Sequence, residues 1–204
     1  LKPSTGIQNG LRGVYERQAT TWDIQRSRAL FERGWLDRLL AFTRPGNTIL
    51  DIGCGTGDPI ARYVIDKGRN VCGVDFAASM LEIARTRFPN ARWMLADMRD
   101  LDLGETFGAV IAWDSFFHLS ADEQRQVLPR LAAHVSPGGA MLVTAGPKEG
   151  EAWGEVGGEP VFHASLSIEE YTRILASAGL RIEAFVPDDP TCAGHSVLLA
   201  ASTR

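Results

Sequence analysis

The chain has 204 residues, a formal net charge of −4, 45% hydrophobic and 23% charged residues. That is the composition of an ordinary water-soluble globular domain, and the length suits one domain burying about 70% of its unfolded surface. The acidic balance argues against a nucleic-acid substrate, no apolar run approaches the ~20 residues of a membrane span, and no secretory-signal pattern opens the chain, so a cytoplasmic location is expected.

Helical spacing dominates the first 47 residues, over Leu11–Gln18 and Ser27–Phe42, until the breaker cluster Arg44-Pro45-Gly46-Asn47. Strands and helices then alternate. The pattern predicts strands over Thr48–Ile52, Asn70–Asp75, Ala91–Ala96, Phe107–Trp113 and Ala140–Thr144, and helices over Pro59–Lys67, Ala78–Arg87 and Ala121–His134. Such alternation implies a parallel sheet covered by helices on both faces. Ser136-Pro137-Gly138-Gly139 reads as the stop after the last of these helices, and 146–166 as a long Gly-, Pro- and Glu-rich loop on the substrate side. Ser167 and Glu170 form a capping-box pattern for a helix to Ala178, stopped by Gly179. Arg181–Val186 and Ser196–Ala201 are separated by too few residues for a crossover, so they must form an antiparallel hairpin. Cys54, Cys72 and Cys192 show neither disulfide nor zinc spacing, so reduced thiols and no metal are expected.

The most informative segment is Ile49–Ala61, ILDIGCGTGDPIA, a strand running through Gly53, Gly55 and Gly57 into a helix. Glycines there allow a tight turn and close approach of a nucleotide-like ligand. A dinucleotide fingerprint would carry a third glycine where Asp58 stands. A carboxylate at a helix N-terminus competes with phosphate and suits a cationic ligand without one. S-adenosylmethionine, with its ammonium and sulfonium, meets that description. Asp75, closing the second strand, is placed to accept ribose hydroxyls, a role also used by dinucleotide folds.

The segment Asp51–Gly57, with Asp75 and Asp97-Met98, resembles the motifs of the class I S-adenosylmethionine-dependent methyltransferases. That resemblance implies an α/β, Rossmann-like sheet of seven strands in the order 3-2-1-4-5-7-6, with the last hairpin antiparallel and N-terminal lid helices. It implies one domain over 1–204, divided into a helical lid (1–47), a cofactor-binding core (48–145), the substrate-side loop (146–166) and a C-terminal helix and hairpin (167–204). It also places Tyr15, Trp22, Asp51, Gly53, Cys54, Gly55, Gly57, Asp75, Phe76, Met80, Asp97, Met98, Trp113, Asp114 and Ser115 at the cofactor. In this reading Asp97 accepts from the adenine amine, Phe76 and Met98 cover the ring faces, and Tyr15 and Trp22 wall the sulfonium.

Methyl transfer needs an aligned nucleophile, and a base only where that nucleophile carries a proton. His118, after the fourth strand, and His163, in the long loop, are the candidate catalytic residues. His195 is a weaker candidate, and His134 is explained by the end of its helix. Trp153 and Phe162 are expected as apolar walls, with Glu155 and Glu159 as contacts for a polar or cationic acceptor. The expected function is methyl transfer to a small molecule, producing S-adenosylhomocysteine. The alternatives are a nicotinamide-dependent oxidoreductase and a non-catalytic S-adenosylmethionine-binding regulatory module. The sequence leaves the acceptor and the oligomeric state open.

Overall fold

The computed structural model describes residues 4–204. Strands β1 (Thr48–Ile52), β2 (Asn70–Asp75), β3 (Arg92–Leu95), β4 (Phe107–Ala112) and β5 (Val135–Ala145) pair in parallel. Two further strands, β6 (Gly150–Val156) and β7 (Glu159–Ser165), form a small sheet of their own. Finally, β8 (Leu180–Asp189) and β9 (His195–Ser202) add an antiparallel edge beside β5. The main sheet has seven strands in the order β3-β2-β1-β4-β5-β9-β8, which is the expected topology once the inserted β6–β7 pair is counted.

The central strands are apolar on both sides because both sides are covered. Successive residues of a strand point to opposite faces. Leu50, Ile52, Val110 and Ala112 accordingly join Leu128 and Leu131 of α5 (Ala121–Ala133) and Leu175 of α6 (Ile168–Ser177) in one cluster. Ile49 and Ile111 face the other way, toward Leu36 and Leu39 of α2 (Arg33–Leu40) and Ile60 and Val64 of α3 (Ile60–Asp66). The first helix, α1 (Ser4–Gln25), lies instead against α4 (Ala78–Arg87), where Tyr15 and Trp22 meet Phe76, Ala77 and Met80.

Four elements differ from expectation. The N-terminal helices are one long α1 and a short α2 beginning only at Arg33, not a helix from Ser27. Leu30 has a φ of +50°, which interrupts any helix there, and the turn is fixed by Arg26 pairing with Glu32, a residue with no solvent exposure. Ser136–Gly139 is not a stop but a bulge within β5, where the pairing with β4 jumps from Val135 to Ala140. The supposed loop 146–166 is mostly the β6–β7 hairpin, turning at Gly157 and Gly158 with φ of +57° and +82°. A two-residue hairpin turn of this hand needs positive φ at both central positions, which Gly-Gly supplies. Ser167 does cap α6 by accepting from the Glu170 amide, but the Glu170 carboxylate pairs with Arg125 and Arg173. A complete capping box sits at Ser120 and Glu123 instead.

The hairpin lies on α1, with Glu159 paired to Arg17 and accepting from Gln18 at 3.2 Å. Its turn is testable because a Cβ on Gly158 would meet nothing within 4 Å, leaving conformation as the whole cost. Gly158→Ala should therefore weaken the hairpin by about 1–2 kcal/mol. Hydrogen exchange should show faster β6–β7 amides with the seven-stranded sheet unchanged. Unchanged protection in the hairpin would contradict this turn geometry.

Candidate functional site

The carboxyl ends of β1, β2 and β4 open onto one cavity, the place where a parallel sheet of this kind binds ligands. All fifteen residues expected near a cofactor line it, joined by His118, Arg26, Leu11 and Leu119. Gly53 and Gly55 have φ of +70° and +53°. A Cβ on Gly53 would lie 2.2 Å from the Ser115 Cβ, so β1 and β4 can approach this closely only with glycine there. Ser115 Oγ donates to the Ile52 carbonyl at 2.7 Å and fastens the two strand ends together. A Cβ on Gly55 would stand 3.2 Å from the Trp22 ring, so the space over this glycine is occupied by the lid helix.

Asp75 binds the turn from the next strand. Its Oδ2 accepts from the Gly55 amide at 2.8 Å and its Oδ1 from the Ala77 amide at 2.9 Å. Burial pushes its carboxyl up to about 6, against the pull of those amides. Asp51 is buried nearby, and burial followed by the Asp75 charge pushes it up to about 7. Among the described residues neither a hydrogen bond nor a cation offsets that shift for Asp51. Asp75 keeps its amide donors, whereas Asp51 escapes the cost of burial by holding a proton or by meeting positive charge or donors from a ligand.

Two acidic residues of the cavity lining are engaged by neighbouring arginines. Asp58 is not directed at a cationic ligand; it is paired with Arg62 at 2.9 Å, Arg28 at 3.6 Å and Arg87 at 4.0 Å. Asp97 accepts from the Arg99 backbone at 2.9 Å and pairs with the Arg99 guanidinium at 2.6 Å, so its carboxylate is already engaged at the cavity edge. The reason is local charge: arginines lie within reach of both.

The lid is held by residues that sequence reasoning passed over. Glu16 accepts from the Ala78 and Ser79 amides at 2.7 and 2.9 Å, capping α4 from α1. Asp23 pairs with Arg87 at 2.8 Å and accepts from Thr56 Oγ1 at 2.6 Å, fastening the end of α1 to the glycine turn. Both lie on α1 near Tyr15 and Trp22, Glu16 serving as a carboxylate at a helix N-terminus and Asp23 as a partner for an arginine in the last turn of α4.

The histidines sort into two chemical states. His118 is buried, with Nδ1 3.1 Å from the Phe162 carbonyl and Nε2 2.9 Å from the Tyr15 hydroxyl. A carbonyl only accepts, so Nδ1 carries the proton and Nε2 accepts from Tyr15. Burial pushes its pKa down to about 4. The expected base titrating near neutral pH is therefore a neutral ring. His163 lies beside it, ring centroids 4.9 Å apart, and burial also lowers its pKa. It lines a second cavity, which Asp114 shares with the first. His195 lines that second cavity too, with Nδ1 2.8 Å from the Cys192 carbonyl and Nε2 3.1 Å from Asp114 Oδ1. Its place was legible from topology, since an antiparallel β9 starts where β5 ends.

Trp153 and Glu159 do not wall the acceptor side. Trp153 is 65% exposed and borders a groove between the hairpin and α1, where Glu159 is neutralised by Arg17. Phe162 packs edge-on against Trp153 in that groove.

Residues 49–139 match the family model described as a methyltransferase domain. Over 98 residues the chain is 42% identical to the dTDP-3-amino-3,6-dideoxy-alpha-D-glucopyranose N,N-dimethyltransferase of Streptomyces fradiae, covering 47% of this chain and 38% of that one. It is 28% identical over 170 residues to the malonyl-[acyl-carrier protein] O-methyltransferase of Serratia marcescens, covering 80% of this chain and 65% of that one. The matched stretch thus spans less than two thirds of either relative. The fold is shared with an amino pentose methyltransferase of Micromonospora echinaspora solved with S-adenosylmethionine bound, at a TM-score of 0.69 and 23% identity, over 92% of this chain and 96% of that one. Residues 49–139 are thus similar to methyltransferase domains, and the sheet order and glycine turn belong to the fold shared with the S-adenosylmethionine-bound structure.

Two predictions follow from the carboxylates and the turn. Asp51 and Asp75 hold protons in the folded chain above the pH, about 4, at which an unfolded aspartate releases them. Their contribution to stability should fall as pH rises from about 4 toward about 7 and then level off. Thermal denaturation of ligand-free Asp51→Asn should lose part of this decline relative to wild type; identical pH profiles would contradict the assignment. Gly53→Ala should abolish binding of S-adenosylhomocysteine in calorimetry, because its Cβ cannot be accommodated beside Ser115. Wild-type affinity in that variant would remove the turn from the cofactor site.

Proposed function

We propose that this chain transfers the methyl group of S-adenosylmethionine to an amino group of a small molecule, leaving S-adenosylhomocysteine. The observation that carries the proposal is the convergence of the glycine turn, Asp75 and the Ala96–Met98 edge on one cavity that meets a second at Asp114. The residues present fit the cofactor. The glycine turn lines the cavity with backbone, Asp51 is a buried carboxylate with no cation beside it among the described residues, and Phe76 and Met98 are apolar surfaces at the far end.

In this reading Asp75 organises the turn through the two amides and offers its remaining lone pairs to the ribose hydroxyls. Asp51 faces the amino-acid ammonium. Phe76, Met80 and Met98 hold the adenine, and Tyr15 and Trp22 cover the sulfonium from the lid side. When bound, the cofactor supplies an electrophilic methyl group. The protein has to align a nucleophile about 3 Å from it and keep water away. His118 holds the Tyr15 hydroxyl at the cavity by accepting its proton in a hydrogen bond, and the pair provides the route by which a proton leaves the acceptor. The amino-group reading is supported by the sugar N,N-dimethyltransferase relative. Cys54, Cys72 and Cys192 are free and buried, which fits a reducing compartment such as the cytoplasm.

The test is calorimetry with S-adenosylhomocysteine and NAD, followed by turnover on a panel of amines. Binding of the first with methyl transfer is expected. Binding of NAD alone would favour an oxidoreductase, and cofactor binding without turnover on any amine a regulatory module. His118→Ala should lower kcat by roughly 10²–10⁴, the general acid–base range, with cofactor affinity kept. Because burial holds His118 neutral down to about pH 4, the wild-type profile should show no His118 ionisation between pH 6 and 8. A wild-type-like variant would retire His118 as a catalytic group.

A further inference from the structure

The two cavities meet at Asp114, and its surroundings are unusual in three respects. The residue has a φ of +48°, a conformation that costs a non-glycine residue energy and that tends to persist where function needs it. Its amide is held by Thr144 Oγ1 at 2.8 Å, and its Oδ1 is buried without a well-formed hydrogen bond. Its carboxylate lies against His195 Nε2, 3.1 Å from Oδ1 and 3.3 Å from Oδ2. Both ring nitrogens of His195 therefore face groups that only accept, the Cys192 carbonyl and the Asp114 carboxylate. Only the doubly protonated imidazolium satisfies both. Aromatic rings flank this cation, Phe31 at 5.1 Å and Trp113 at 5.4 Å between centroids. Glu32, from the residue before α2, adds negative charge behind it and is itself paired with Arg26.

Beyond Asp114 the second cavity is acidic. Glu149, Glu151 and Asp188 line it, against Lys148 and the two histidines His163 and His195.

We propose that Asp114, held in place by His195, receives the acceptor's nitrogen, and that the acceptor is a cationic amine carrying no phosphate. The inference rests on the methyltransferase reading and goes beyond it in naming the charge class of the acceptor and the residue that selects it. The ammonium first gives a proton to the Tyr15 hydroxyl as Tyr15 passes its own to His118 Nε2; the freed nitrogen lone pair then forms a bond to the methyl carbon while the carbon–sulfur bond breaks, its electron pair remaining on sulfur. Positive charge leaves the sulfonium and appears on nitrogen. A fixed carboxylate at the junction stabilises that charge where it develops. An acidic cavity also repels a diphosphate, which separates this acceptor class from the nucleotide-linked sugar named for the Streptomyces fradiae relative. Asp114 is thus the substrate-contacting group and His195 a positioning residue.

The test uses the chain saturated with S-adenosylhomocysteine, whose binding is measured first. Failure at that step counts against the methyltransferase reading and not against Asp114. Free 3-amino-3-deoxyglucose, its dTDP-linked form and glucose are then titrated in. The free amine should bind at least tenfold more tightly than either. Preference for the dTDP-linked form, or equal binding of glucose, overturns the proposal. His195 ring resonances give an independent readout. A cation beside Asp114 competes with the imidazolium, so the midpoint of the His195 titration should fall when the amine is added. It should also fall in Asp114→Asn, and an unchanged midpoint in either experiment overturns the pairing. In turnover with the amine, Asp114→Asn should lower kcat/KM about a hundredfold. His195→Gln should act mainly on KM and remove the ionisation from its pH profile. Cofactor affinity should stay near wild type in His195→Gln, whose side chain lies outside the cofactor cavity.

Discussion

The narrow gap between the carboxyl ends of β1 and β4 governs everything around it. Gly53 has no room for a side chain because Ser115 fills that space and hydrogen-bonds the Ile52 carbonyl. That bond fixes the start of the segment after β4, and Thr144 on β5 fixes it again through the Asp114 amide. Three neighbouring strands are thereby locked at one edge, and Asp114 is left with a positive φ. The cavity lies beside this lock, with the glycine turn on one side and the Asp114 carboxylate on the other. Tight packing makes such an arrangement rigid enough to align two reactants, which is where a methyl transfer gains most of its rate.

The lid adds charge to packing. Buried leucines hold α2, whereas α1 buries Leu11, Val14 and Ala19 and is also fastened by Glu16 on the N-terminus of α4 and by Asp23 on Arg87 and Thr56. Partly exposed charge pairs contribute modestly and are weakened by salt, unlike apolar burial. Tyr15 and Trp22 therefore sit on the more easily released side of the cavity. A cofactor enclosed at the sheet edge can leave by that side without disturbing the seven-stranded sheet.

Most of the fold was legible because its signals are local. Continuous apolar strands, breaker clusters and a glycine turn at Gly53–Gly57 each mark a boundary, and the short link between the last two strands dictated an antiparallel end. The β6–β7 hairpin was missed although its Gly157-Gly158 turn is a recognised signal. Its strands alternate weakly, since β6 is largely exposed, Trp153 included, while β7 packs on α1, His118 and α5. The site was legible as a set of strand ends but not as a set of charge states. Arg62 stands four residues after Asp58, a spacing the sequence shows, but nothing around Asp58 shows that Arg28 and Arg87 also gather there, and nothing around His118 shows that the Phe162 carbonyl fixes its tautomer. Those facts depend on contacts between residues far apart in the chain.

Taken across both cavities, the electrostatics have one direction. Asp51 and Asp75 line the cofactor side with carboxylates that burial holds near neutrality, and Asp114 stands at the junction with its charge balanced by His195. In the proposed function the cofactor's positive charge takes the place of those protons on one side, and the amine competes with His195 for Asp114 on the other. The two histidines divide the remaining work by environment alone. The carbonyl at Phe162 and the hydroxyl of Tyr15 leave His118 a neutral acceptor, whereas the carbonyl at Cys192 and the carboxylate of Asp114 leave His195 a cation. One ring can take part in moving a proton, and the other can only hold a charge in position. Methylating an amine calls for both, because the nitrogen must shed a proton to become nucleophilic and then bears positive charge as the bond to carbon forms.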